Sequence, residues 1–417
     1  MKETVAIPYG NDVIPVSVRK DNLQGILYPN NVEKCDEVST LKDAISNPIN
    51  SKRFDQFISD ARDILFIVND ATRPTPTAKI VDILYEQIRD KNVKFIIATG
   101  IHREPTREEY EYIFGRYYEL FKDRIFSHDS RKDEDMVYLG DSRNGTQMWI
   151  NKMAIEAHKI VIIGSVEPHY FGGYSGGRKS LLPGIASYST IEQNHKLATS
   201  PGARVLALEG NPINEDMEDA IDAIGEKDLF CILTVVDREY KVCGATSGDI
   251  HGSFEIAVQK ANEVFCVKID SKADIVVTVV PRPLDIVLYQ SQKGIYNGIL
   301  ALKEGGILIL ISACHEGTGP DTYVRMLSSC DSPKQVLEKI ESEEYKLGYH
   351  QAAKIAEISL WAQIWAVTKI DDKTMESIFI RPFSNPQQAI DVAINEKGRG
   401  CKILFLMDGA FTVPILN

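Results

Sequence analysis

A chain of 417 residues exceeds the length over which one hydrophobic core keeps growing, so two domains are expected. With 44% hydrophobic residues, 25% charged residues and a formal net charge of -12, it can bury a sizeable core and would repel nucleic acid and anionic membranes. The opening MKETVAIPYGNDVIPV lacks the apolar run of a signal peptide and no stretch reaches the roughly 18 apolar residues of a membrane span, so a cytoplasmic protein is expected.

Short apolar runs ending in Gly, Asp or Ser then recur along the chain: DILFIVND (63–70), VKFIIATG (93–100), HKIVIIGS (158–165), LFCILTVVD (229–237), DIVVTVV (274–280), GGILILIS (305–312) and CKILFLMDG (401–409). Continuous Val, Ile and Leu runs of this length read as strands buried on both faces. Amphipathic helices separate them, such as TAKIVDILYEQIRD (77–90) and SPKQVLEKIESEEY (332–345), the latter with a capping start. The expected fold class is therefore α/β, with two domains of mostly parallel sheets and an active-site cleft between them. The boundary is placed near VFCVKIDSKADI, giving a first domain over 1–266 and a second over 267–417, with the last residues able to pack back on the first.

Polar residues gather just past the early strands. VNDATRPTPT brings Asp70 and Arg73, IATGIHREPT brings His102 and Arg103, and PHYFGGYSGGRKSLLPG (168–184) brings His169 together with Gly172, Gly173, Ser175, Gly176, Gly177, Arg178 and Lys179. Glycines let bare N–H groups approach an anion, which suggests a phosphate. The Walker spacing is missed by one residue, because Arg178 stands between Gly177 and Lys179. A tight structural connection also explains such a loop, and Lys179 serves either as a phosphate counter-charge or as a covalent anchor.

Further along, LYQSQKGIYNG (288–298) offers Tyr289, Gln290 and Lys293 near a helix start. Of eight histidines, His102, His169 and His195 stand out, while His128, His251 and His315 read as solvated loop residues. Their spacing matches no compact metal motif. The two strand-end histidines suit an acid/base pair, since imidazole titrates nearest neutral pH. The seven cysteines (35, 231, 243, 266, 314, 330, 401) form no C-x-x-C pair and read as small hydrophobes rather than a disulfide or zinc framework.

Taken in order, DATRP, ATGIHR, PHYFGGYSGGRKSLLPGIASYSTIEQNH and YQSQKG closely resemble the lactate racemase family of nickel-pincer-nucleotide enzymes, from the N-terminal segment to at least Lys293. The resemblance implies a racemase or epimerase of 2-hydroxy acids such as lactate, working by reversible hydride transfer through a transient 2-keto acid. It implies a pyridinium-3-thioamide-5-thiocarboxylic acid mononucleotide, the nickel-pincer nucleotide, carried covalently on Lys179. Nickel as Ni(II) would be held by the cofactor's ring carbon and two sulfurs and by His195, a square-planar set that suits soft donors. The loop glycines, Ser175 and Arg178 would hold the nucleotide phosphate, and Asp70 would contact the cofactor or position Arg73. His102 and His169 match the family's two bases, Arg73 and Lys293 its carboxylate clamp, and Tyr289 and Gln290 its orienting donors. Cofactor-maturation proteins are the implied partners.

His350, in YKLGYHQAAKIAEI, departs from the family by standing where a tryptophan lines the site. It is expected either to line the pocket, admitting a larger or more polar acid, or to be a helix N-terminal surface residue. Two other classes share these residues: a metal-free racemase that abstracts the α-proton with two bases, and a non-catalytic nucleotide or nickel-cofactor-binding protein.

Overall fold

The computed structural model describes residues 1–33, 35–225 and 227–417. Its contacts divide the chain into two compact units, residues 31–264 and residues 1–30 with 265–417. The break after Val264 falls close to the expected boundary at 266. The first 30 residues, however, belong with the C-terminal part of the chain rather than the first domain, because Leu23–Leu27 pairs in parallel with Ile403–Leu406. The last strand, Val413–Leu416, pairs with Cys266–Ile269 inside that same unit.

The unit of residues 31–264 is built on a six-stranded sheet in the order Val242–Gly248, Asp228–Val236, Lys159–Ser165, Ile64–Asn69, Val93–Ala98, Ile125–Ser127. Only the first pair is antiparallel. Lys159–Ser165 is buried at every position, as a central strand covered on both faces must be. The helix Thr77–Ile88 presents Ile80, Val81, Leu84 and Ile88, spaced to share one face, to the cluster of Phe66, Val68, Phe95, Ile97 and Val161. The expected helix and strand runs of this unit are all present.

The second unit carries an all-parallel six-stranded sheet in the order Ile380–Phe383, Gln363–Val367, Leu302–Ile311, Ala273–Val279, Ile403–Leu406, Leu23–Leu27. The helix Pro333–Ser342 begins where expected, with the Ser332 hydroxyl accepting from the Gln335 N–H. A hairpin of Lys2–Tyr9 and Asp12–Arg19 covers part of this core with Val5, Ile7, Val16 and Val18. Among the described residues the cysteines form no disulfide; Cys231, Cys314 and Cys401 are buried and Cys35 is exposed. No helix among them is long and apolar enough to cross a membrane.

Candidate active site

The strand Ile64–Asn69 lies between Val93–Ala98 and Lys159–Ser165, parallel to both and in register with Val68 opposite Ile97 and Ile163. The three strands therefore end together, and the segments that follow them deliver Asp70, His102 and His169 to one rim of the sheet. This is the usual ligand edge of a parallel sheet.

Asp70 is buried. Its Oδ1 accepts the Thr72 hydroxyl at 2.6 Å and the Thr72 N–H at 3.3 Å, and its Oδ2 lies 2.6 Å from His102 Nδ1. Burial pushes this carboxyl up, but the bond and charge of His102 and the Thr72 hydroxyl outweigh it and hold the acid below the usual carboxylate range. The Asp70 carboxylate thus bonds His102, while its backbone carbonyl accepts the Arg73 N–H at 3.2 Å and the Arg73 charge also acts on its acid. The turn bearing His102 is tied down on both sides. Gly100 N–H donates to the Gly184 carbonyl at the end of the glycine-rich loop, and the helix Arg107–Phe114 opens with a capping box between Thr106 and Glu109. Arg103 grips the same Glu109 through both of its terminal nitrogens, so Arg103 is a structural brace here.

Arg73 pairs with Glu167 at 2.6 Å. The Glu167 side chain is only 7% exposed, and its backbone is clipped by Ser175, whose N–H donates to the Glu167 carbonyl while its hydroxyl accepts the Glu167 N–H and donates to the Ser165 carbonyl. Ser175 therefore shapes the loop. Glu167 was not singled out in the sequence, although it directly precedes Pro168 at the end of a buried strand, where an acid is costly to leave unpaired.

The glycine-rich loop is more ordered than its composition suggests. Pro168–His169 and Gly173–Tyr174 form a short antiparallel pair, and Gly177–Ser180 makes one turn that carries Lys179. His169 Nδ1 accepts the Gly172 N–H at 3.1 Å. The glycines answer largely to the protein's own backbone: a Cβ on Gly173 would run into the Ala207 carbonyl oxygen, one on Gly176 into Ser165 and Val166, and one on Gly177 into Phe254. Arg178 is buried, ion-paired with Glu218 and stacked on Phe254, which spends on protein the charge expected to meet a phosphate. Replacing Gly173, at φ +74°, by Ala is expected to cost the 1–2 kcal/mol of a left-handed backbone, about that much from conformation alone, plus the clash. Gly210→Ala, at φ +70° with open space around its Cβ, pays only the first part. Denaturation midpoints of the two variants measure the difference.

Phe171 is the hub of the loop. Its buried ring meets His169 edge-on at 4.5 Å and His195 at 5.0 Å, and the Lys179 ammonium lies 5.7 Å from the ring centroid. His195 sits half-buried in the last turn of Tyr188–Lys196, a helix capped by the Ser187 hydroxyl. Lys179 and His195 thus flank one aromatic ring. A cofactor anchored at Lys179 and ligated by one imidazole fits that arrangement. Among the described residues no three His, Cys, Asp or Glu side chains gather as metal donors, so such a group would have to bring its remaining donors with it.

In the unit of residues 1–30 and 265–417, Tyr289, Gln290 and Lys293 lie on the helix Leu288–Gly298. Tyr289 stands 5.8 Å from Tyr323, and burial pushes its hydroxyl up to about 12. Lys293 follows one turn later on the same face, and the buried Gln290 Oε1 accepts no hydrogen bond among the described residues. His350 is 1% exposed, in the first turn of Tyr349–Ser359, with Nδ1 at 2.7 Å from the Tyr345 hydroxyl. That overturns the surface reading of His350. His128 is also buried rather than solvated: its Nε2 lies 2.9 Å from the Ala186 carbonyl and its Nδ1 3.2 Å from Asn151 Nδ2. His251 and His315 are exposed.

Comparison with known proteins bears on the whole chain. Residues 9–205 match the lactate racemase N-terminal domain and residues 268–413 the lactate racemase C-terminal domain. A lactate racemase of Thermoanaerobacterium thermosaccharolyticum is 35% identical over 430 aligned residues, covering 98% of each chain. One of Lactiplantibacillus plantarum is 30% identical, covering 97% of this chain and 98% of its own. The structure of the lactate racemase apoprotein from the former organism superposes with a TM-score of 0.92 at 33% identity, covering 99% of this chain and 100% of that one. A Thermotoga maritima protein of 18% identity shares the fold, with a TM-score of 0.68 over 91% of this chain and 98% of that one.

Proposed function

From a chain that belongs to the lactate racemase family, and is accordingly a racemase, we propose an enzyme that inverts the carbinol carbon of lactate or a lactate-like 2-hydroxy acid with a nickel-pincer nucleotide tethered to Lys179. The observation that carries this reading is the convergence of Lys179, His195 and His169 on the Phe171 ring, on the rim where His102 and Arg73 also stand.

The α-hydrogen of a 2-hydroxy acid is a very weak acid beside a carboxylate, whereas its loss as hydride, with the hydroxyl proton taken by a base, gives a stable 2-keto acid. When bound, the group supplies the reversible hydride acceptor that this requires. Lys179 would anchor it and His195 would supply the protein's nickel ligand. His102 and His169 exchange protons with the substrate oxygen, and Arg73 meets the substrate carboxylate while Glu167 holds its guanidinium in place. Phosphate contacts from Gly172, Gly173, Ser175, Gly176 and Gly177 would come from whichever N–H groups their packing leaves outward. The substrate contacts of Tyr289, Gln290, Lys293 and His350, and the dependence on cofactor-maturation proteins, rest on the family resemblance.

Intact mass and nickel content of the wild type and of Lys179→Ala, each co-produced with cofactor-making enzymes, test the tether. A mass increment with nickel in the wild type alone is the expected result; an unmodified, nickel-free wild type beside a properly loaded control racemase overturns it. With the loaded enzyme, a 2-deutero substrate is expected to keep its label through racemisation. Washout into water would instead favour a metal-free, two-base proton transfer.

A further inference from the structure

We propose that Asp70 is a positioning residue for His102 and that the two rim histidines rest in opposite tautomers, His102 as the proton acceptor at Nε2 and His169 as an Nε2–H donor. The role given to these histidines rests on the racemase reading above; the tautomers do not.

An ionised carboxylate has only lone pairs to offer, so the 2.6 Å contact between Asp70 Oδ2 and His102 Nδ1 requires the proton on Nδ1. The neutral ring then keeps its lone pair on Nε2. Thr72 supplies both its N–H and its hydroxyl to Asp70 Oδ1, which leaves Oδ2 aimed at the imidazole. A carboxylate 9% exposed and held from one side in this way fixes the ring's orientation. It also faces the positive charge that appears when Nε2 takes a proton, the division of labour seen wherever an acid backs a catalytic imidazole.

His169 has the opposite partner. The Gly172 N–H points into its Nδ1 at 3.1 Å, so that nitrogen is bare and the neutral ring carries its proton on Nε2. The short pairing of Pro168–His169 with Gly173–Tyr174 and the edge-on Phe171 ring at 4.5 Å hold this geometry. To accept a proton at Nε2, His169 must first place a hydrogen on Nδ1 against the Gly172 N–H. His102 faces no such obstacle. A substrate hydroxyl that faces His102 would therefore give its proton to His102 Nε2, while the bound group would supply the acceptor for the carbinol hydride. His169 meanwhile donates a hydrogen bond to the oxygen.

Long-range proton–nitrogen NMR of the full chain without cofactor reads the tautomers directly, with His102→Gln and His169→Gln giving the assignments. A protonated Nδ1 on His102 and a protonated Nε2 on His169 are expected, and Asp70→Ala is expected to abolish the preference at His102 alone. His102 protonated on Nε2 in the wild type overturns the proposal. In the loaded enzyme, Asp70→Asn is expected to lower turnover by roughly 10²–10⁴-fold, the range of a lost general base, with tethered mass and nickel content unchanged. Loss of the tether or the nickel in that variant would make Asp70 a cofactor ligand and end the positioning role. The expected tautomers in a loaded wild type that racemises nothing would leave Asp70 where it is placed and overturn the racemase reading instead.

Discussion

Asp216→Ala is expected to destabilise the unit of residues 31–264 by about 3–5 kcal/mol, the cost of breaking a buried charged network from one side. Asp216 is fully buried and accepts from four side chains: Ser142 at 2.7 Å, Thr146 at 2.5 Å, Asn144 at 3.0 Å and Asn194 at 3.1 Å. These come from the hairpin that joins Met136–Asp141 to Gln147–Asn151 and from the helix Tyr188–Lys196, which also carries His195. Removing the carboxylate takes the acceptor from the Ser142 and Thr146 hydroxyls, whereas the Asn144 amide keeps the Pro212 carbonyl and Glu215 and the Asn194 amide keeps the Ile213 carbonyl. Asp216→Asn keeps one carbonyl oxygen but turns an amide toward groups that also donate, so an intermediate loss is expected. Chemical denaturation followed by a probe in this unit ranks the three proteins, and equal stability of the alanine variant and the wild type would show that water replaces the carboxylate.

Acid is expected to weaken the unit of residues 1–30 and 265–417 through His350. Burial, aided by the charge of Lys354, pushes this imidazole down to about 3, whereas in the unfolded chain it titrates near 6.5, its ordinary value to about half a unit. Above the unfolded value both states are neutral and the contribution of His350 to stability is complete. Between about 6.5 and about 3 the unfolded chain binds a proton that the folded chain refuses, so stability falls as pH falls, by up to about 5 kcal/mol. Below that range both states are charged and the loss levels off. His350→Leu leaves the Tyr345 hydroxyl without its imidazole partner and costs stability at neutral pH, so the slope is the informative quantity. Melting temperatures measured from neutral pH down to mild acid are expected to fall less steeply in the variant; parallel slopes would assign the acid sensitivity elsewhere, with the buried His128, which burial also pushes down, as the group to replace next.

Much of the architecture was readable because it depends on patterns that survive without neighbours. A run such as KIVIIGS has nowhere to go but the middle of a sheet, and the Ser332–Pro333 start announces its helix through local hydrogen bonds alone. The edge strand Val242–Gly248, sequence VCGATSG, escaped because small and polar residues carry no such signal. The assignment of residues 1–30 failed for a related reason, since a strand's partner is a tertiary choice that no periodicity encodes. At the rim, His102, His169 and Lys179 were legible from their place after strands and within a distinctive loop. What each one touches was not. Glu167 as the partner of Arg73 and Phe171 as the shared neighbour of His169, His195 and Lys179 arise only when separate turns are brought together, while the turn that sets Thr72 on Asp70 is local, two residues long, and was simply not singled out. The loop glycines looked like a phosphate nest, yet at Gly173 and Gly177 the close approach is to Ala207 and Phe254.

The parallel pairing of Leu23–Leu27 with Ile403–Leu406 also sets an order of events on the ribosome. Asn22, at the entry to that strand, donates its side-chain amide to the carbonyl of Cys401, 379 residues away, so the segment Leu23–Leu27 stays without its sheet until Ile403–Leu406 has been made. Residues 31–264 contain all the strands of their own sheet and can be complete while synthesis continues, whereas the flanking unit must wait for Ile403–Leu406, about 140 residues later, roughly 7–30 seconds at cellular elongation rates. During that interval Val16, Val18 and Leu23 are apolar chain in search of a surface. A circular permutant that begins at residue 265 and joins residue 417 to residue 1 would let this unit assemble without that wait, and its yield of soluble protein in a chaperone-poor host reports how much the native order of synthesis costs.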